Sequence, residues 1–164
     1  MSATGDILQS YRAPRVVIRR HLDRGVNEGR VFIFLVGACF LVFIAQWPRL
    51  SREAYLDASI PLDARLGAAL LGWLFIAPLF FYAMAGVSYF FARIMGGQGT
   101  SYGARLALFW SLLVVTPLWL LQGLVAGFIG EGPQLTAVGV LLLGAFGWVW
   151  INSLIETQSA IKDD

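Results

Sequence analysis

Four stretches of this chain carry no formal charge, and they constrain it more than any other feature. They run from Val31 to Trp47, Leu66 to Ala92, Leu106 to Gly130 and Gly132 to Ile155. A bilayer core takes about 20 apolar residues at ~1.5 Å rise each. The last three stretches reach that length comfortably. The first is close to the lower limit, with Arg30 and Arg49 placed to snorkel at its ends. A soluble core helix keeps a polar face over such a distance, and these stretches have none. Composition agrees: 58% of residues are hydrophobic and 13% charged, against about a quarter charged in soluble domains, and mean hydropathy is +0.71.

The expected fold is therefore an all-α polytopic membrane protein with four spans, over about 31–47, 66–92, 104–130 and 133–155. A basic segment, 1–30, precedes them, and a polar tail, 156–164, follows. The first span runs into Gln46-Trp47-Pro48-Arg49 rather than a small-residue cleavage site, so it reads as a retained span. Pro14 suits a helix start, and Val16, Val17, Ile18 and Leu22 give that helix an apolar stripe among arginines. This pattern predicts a short amphipathic helix lying on the membrane surface. Ser51 is a cap for a short loop helix carrying Leu56, and Thr100 or Ser101 caps the third span.

Basic residues stay on the cytoplasmic side of a membrane. With four spans, the N-terminal segment, the loop after the second span and the tail share one side. That side holds nine basic residues, Lys162 among them, and the other holds Arg49, Arg52 and Arg65. Both termini are expected in the cytoplasm. Eleven of the twelve basic residues are arginine, and alanine and glycine abound, a bias of GC-rich bacterial genomes. A bacterial inner membrane is the expected location.

Candidate functional residues are few. Arg12, Arg15, Arg19, Arg20 and Arg24 form a basic surface segment suited to anionic lipid headgroups, at about 1 kcal/mol per residue before Asp6, Asp23 and Glu28 are counted. Nucleic acid would need a larger patch with interleaved aromatics, so no nucleic-acid partner is expected. Pro78 and Pro117 lie near the middle of the second and third spans and free the carbonyls of Leu74 and Leu113. Kinked helices meeting at midplane resemble transporter sites, but no Asp, Glu, Lys, Arg or His lies in any of the four charge-free stretches, so packing kinks are the simpler reading. Ala68 with Gly72, and Gly123 with Gly127, are small residues four apart that let helices approach closely, either within the bundle or between copies. Trp47, Trp110, Trp148 and Trp150 fit an aromatic belt, whereas Trp73 and Trp119 are deeper and suit packing between helices. His21, the only histidine, reads as a solvated residue among arginines, and Cys39 as a small buried hydrophobe. Gly86-Val87-Ser88 lacks the final glycine of a nucleophile elbow, and the glycine loop lacks the ending of a P-loop. No catalytic residue, metal site or cofactor is expected.

The lead-in Ser10-Tyr11-Arg12-Ala13-Pro14-Arg15 and the loop Gly96-Gly97-Gln98-Gly99-Thr100-Ser101, followed by an apolar helix reaching Thr116-Pro117, resemble the Yip family of membrane proteins in a compact bacterial form. The resemblance spans roughly residues 9–155 and rests on Gly96, Gly97, Gly99 and Pro117. It implies a helical membrane protein of scaffold or adaptor type, without enzymatic activity. Eukaryotic members have five spans and a longer N-terminus and bind prenylated Rab GTPases. Four spans and a short N-terminus depart from that pattern. The leading expectation is a scaffold or adaptor that organises membrane lipids, another membrane protein or a second copy. A small transporter or lipid-handling protein using the kinked spans is the alternative, and an accessory subunit of a larger complex the third.

Overall fold

The computed structural model describes residues 3–159; the remainder of the expected tail, with Lys162, lies outside the described residues. Every regular element is helical. Two short helices, α1 (Ala3–Arg12) and α2 (Pro14–Asp23), lead into α3 (Glu28–Leu56). The second span is α4 (Leu62–Leu71), a π-helical turn (Gly72–Ile76) and α5 (Ala77–Ile94). The third is α6 (Ser101–Val114) with α7 (Thr116–Phe128), and α8 (Pro133–Ser159) completes the bundle. Three helices are long and apolar enough to cross a membrane, and a fourth crossing follows if the α6–α7 pair, bent by 42°, is one broken span rather than a re-entrant loop. The all-α polytopic architecture is as the charge-free stretches demand.

The exposed surface explains why such a fold needs lipid. Phe75, Leu79, Phe80, Phe90, Val140 and Leu143 are all more than 60% exposed. Patches of that kind are rare on a water-facing monomer. The core sits instead around α6, whose residues Leu106 to Ser111 are all buried. A helix apolar on every face is buried on every face; α3, α5, α8 and the two N-terminal helices surround this one.

Each proline has a visible local consequence. Ahead of Pro78 the helix widens, and the Ala77 amide donates to the carbonyl of Gly72, five residues back. Π-bulges and prolines are the usual causes of such breaks. At Pro117 the helix breaks outright. The freed Leu113 carbonyl accepts from the Thr116 hydroxyl at 2.8 Å. The Leu118 amide turns to Val115, and the Val114 carbonyl accepts from the Tyr11 hydroxyl at 2.6 Å. Both carbonyls at the bend are thus satisfied without water, as a low-dielectric interior requires.

Several boundaries differ from the sequence reading. The first span continues through Pro48 to Leu56 as one helix, so Ser51 lies inside α3 and caps nothing. Leu50 is buried, and Arg52 donates to the carbonyls of Gly127 and Phe128 at 3.2 and 3.4 Å, which ties this extension to the end of α7. The opposite end of α3 is capped by Asn27, whose side chain accepts from the Arg30 amide. Thr100 caps α6 by accepting from Gly103, as expected. The N-terminal segment forms two helices rather than one. Its apolar stripe turns toward protein: Val17 and Ile18 are fully buried, with α2 packed along α8 and against α6.

Candidate functional site

α5 packs along α6, and α8 packs along the other flank of α6. A cleft of about 660 Å³ opens between α5 and α8. Pockets of roughly 300–1,000 Å³ hold small organic ligands. α5 contributes Met84, Val87, Ser88, Phe91 and Met95. α8 contributes Trp150, Ile151, Leu154, Ile155 and Gln158, one face read at three- and four-residue steps. Val87, Phe91, Ile151 and Ile155 are about half exposed, so the flank faces the surrounding lipid.

The floor is the glycine loop. Gly96 adopts φ +88°, a left-handed conformation that ends α5. The Gly97 amide donates to Ala92 at 2.9 Å, and the Gln98 amide to the Gln158 carbonyl at 3.3 Å. A Cβ on Gly97 would stand 2.8 Å from the Ala92 carbonyl oxygen, and one on Gly103 2.9 Å from the Thr157 Cβ. On Gly99 it would stand 2.7 Å from the Gln158 Cα. Gly99 and Gly103 are needed because the loop and the first turn of α6 lie directly on the last turn of α8, and Gly97 because the chain folds back on Ala92 at the end of α5. Gly96, Gly97 and Gly99 are thereby brought together; Pro117 is not part of this assembly.

Two side chains beside the cleft, Gln158 and Trp150, have polar atoms without a partner, and those atoms are sealed even from water. Gln158 is 91% buried by its 9% relative exposure, and neither its amide nitrogen nor its oxygen is hydrogen-bonded. An unpaired buried amide costs on the order of 1–3 kcal/mol. The Trp150 indole N–H, on the same face of α8, is also buried and unpaired. Ser88 and Ser159 turn inward, donating to the carbonyls of Met84 (2.7 Å) and Ile155. Among the described residues no charged side chain lines the cleft. An open apolar slot of this size suits an acyl chain.

The residues singled out from sequence distribute as follows. Pro78 and Pro117 belong to neighbouring spans, but the space among Cys39, Trp73, Phe81, Leu112 and Trp119 is an apolar gap of about 20 Å³. It would admit at most about one water, and its walls are almost wholly apolar. Trp73 and Trp119 meet edge to face at 5.7 Å, packed between helices as expected. Gly123 and Gly127 face α3, where a Cβ would stand 2.8 Å from the Ala45 carbonyl carbon and 2.7 Å from that of Pro48. That pair serves packing within the chain. Gly72 has open space around it and Ala68 is exposed, so that pair forms no internal contact.

The basic segment is largely engaged inside the protein. Arg15 donates to Asn152 at 3.1 Å, Arg19 pairs with Glu156 at 3.5 Å, and Arg20 holds Asp6 at 2.9 Å and Gln9 at 2.8 Å. Arg12 and Arg24 are exposed and hold no ion pair among the described residues. His21 is not solvated but 3% exposed, packed on Trp110 at 4.4 Å and Phe34 at 5.4 Å. The stripe of α2 that covers α6 carries it inward. Burial, and then the charge of Arg24, push its pKa down to about 4. Trp110 is likewise core rather than belt, 1% exposed and donating to the Ser10 hydroxyl at 3.0 Å. Trp47 and Trp148 are about half exposed, as a belt requires.

The sequence reading missed Gln158, which it assigned to the tail, and the cleft-facing role of Trp150. The available signal was the stripe Trp150, Ile151, Leu154, Ile155, Gln158, which extends the helical period past the charge at Glu156. No protein-family model, curated protein or solved structure matches this chain. The resemblance to the Yip family gains nothing from these comparisons.

Proposed function

We propose that this chain is a non-enzymatic integral membrane protein that takes membrane lipid laterally into the cleft between α5 and α8. The observation that carries the reading is the cleft itself, about 660 Å³ and apolar along its walls, open on the surface of the bundle where Val87, Phe91, Ile151 and Ile155 are half exposed. It supports the lipid-handling alternative, at a different place from the kinked spans, and it fits a scaffold that organises lipid. The engagement of Arg15, Arg19 and Arg20 within the protein weighs against headgroup binding as the main activity. The nine-to-three split of basic residues supports cytoplasmic termini and a bacterial inner membrane. A Yip-like identity rests on the lead-in Ser10 to Arg15, the loop with Gly96, Gly97 and Gly99, and Pro117.

Filling the cleft tests the proposal. Ala92→Phe places a ring in the slot from a half-buried position on α5. Purified gently from membranes, the wild-type protein is expected to carry lipid measurable by mass spectrometry, and A92F to lose most of it while keeping its helix content. Equal lipid in both proteins would refute the cleft as the site.

A further inference from the structure

A second recess lies at the opposite end of the bundle from the glycine loop and shares no residue with the cleft. α3 supplies Gln46 and Arg49, α7 supplies Trp119, Gln122 and Ala126, and Leu135 of α8 closes it. It is partly enclosed and measures about 90 Å³, room for a few waters or for a phosphate group in their place. Gly123 presses on Ala45, which sets Gln122 level with Gln46. We infer that this recess is a second binding site, one that takes a phosphate group on Arg49, Gln46 and Gln122.

Reachable donors carry the assignment. Among the described residues Arg49 is the only charged one lining the recess, and its side chain is 52% exposed. Glu53 approaches its Nε at 3.3 Å, and the guanidinium donates no hydrogen bond to any described residue. The second oxygen of Glu53 pairs with Arg65 at 3.4 Å, so a phosphate on Arg49 would not strand that carboxylate. Gln46 has no hydrogen-bond partner among the described residues, and neither of its polar atoms is closed off from solvent. In Gln122 the oxygen is closed off and the nitrogen is not, so this side chain offers a donor. The flat fork of Arg49 matches two phosphate oxygens, and the amides add neutral hydrogen bonds. An ammonium would be repelled, and a neutral hydroxyl head would leave the guanidinium without a counter-charge. Depth agrees with this chemistry. Trp47, next to Gln46, is half exposed, as a residue at the membrane boundary is, and lipid phosphates lie at that level. A lipid headgroup and free phosphate present the same group to the recess.

Side-chain NMR of the full protein in uncharged maltoside micelles, isotope-labelled at glutamine, tests the site. Dihexanoylphosphatidylglycerol is expected to move the Gln46 and Gln122 amide signals along a saturating curve, and dihexanoylglycerol to leave them in place. Saturation with inorganic phosphate as well would assign the site to the phosphate group from either source, and silence there would assign it to lipid. Arg49→Gln is expected to weaken binding about tenfold or more, and Gln122→Leu, read at Gln46, severalfold. Equal shifts with the neutral lipid, no saturation with either phosphate ligand, or unchanged binding in properly folded Arg49→Gln would overturn the assignment. Loss in Arg49→Gln with none in Gln122→Leu would leave only attraction to a surface charge, and the recess would fall. Helix content and elution identify a misfolded variant, and the wild-type comparison of charged with neutral lipid stands without either one.

Discussion

His21 illustrates how a single residue changes meaning once its neighbours are known. Its ring is stacked among Trp110 and Phe34, neither nitrogen has a hydrogen-bond partner, and Arg20, Arg24 and Arg30 add repulsion that Asp6 only partly offsets. The folded pKa of about 4 lies below the ordinary 6.5. Above pH 6.5 the ring is neutral whether the helix is docked or not, and docking is independent of pH. As pH falls below 6.5, the undocked state gains a proton that the docked state refuses, so docking weakens until about pH 4. Between pH 7 and pH 5 the loss is expected to be at most about 2 kcal/mol, lessened by solvent screening. The protection of α2 amides, taken relative to the intrinsic exchange rate at each pH, should therefore fall at pH 5, and His21→Phe should remove that dependence. Nothing in the local sequence marked this histidine as buried, because the arginines around it point to solvent whether or not its own face does.

At the scale of elements, helix type and approximate limits were legible because absence of charge and apolar length leave few alternatives. Where the reading failed, long-range contact decided. Pro48 was expected to end α3, yet the helix continues because Leu50 and Arg52 are anchored beyond it. Gly123 and Gly127 could equally have served a dimer; only their neighbours, Ala45 and Pro48, assign them to α3. The approach of α3 to α7 leaves no room for a methyl group at either glycine. Gly123→Ala is expected to lower thermal stability in detergent by several degrees, from an overpacking cost of about 1–3 kcal/mol. Gly144→Ala, where a Cβ meets nothing, should leave it unchanged or raise it slightly. Equal melting temperatures for the two variants would contradict the packing. The cleft was not legible at this scale, since a gap between two helices depends on where both lean and not on either alone.

For the whole molecule, the glycine loop, the last turn of α8 and the lead-in to α3 gather at one end, joined by contacts such as Asn27 to Tyr102 and Gln98 to Gln158, while α1 and α2 reach from there along α6 as far as Val114. The loop containing Ser59 lies at the opposite end, between α3 and α4. If basic residues set the orientation, a cysteine at Ser59 should react with an impermeant thiol reagent in intact cells, and one at Ser159 should not. The reverse pattern would invert the topology. The native Cys39 is buried and gives little background.

The contacts of the first two helices also impose an order of events. Tyr11 bonds Val114, and Arg15 bonds Asn152, 137 residues further along the chain. Synthesis delivers the N-terminus first, so α1 and α2 exist long before α6 and α8 provide their seat. Throughout translation their apolar stripe has only the membrane surface to rest on, and their docking is the closing step of assembly. A chain that stalls before α8 would leave that stripe uncovered, a ready mark of an unfinished protein.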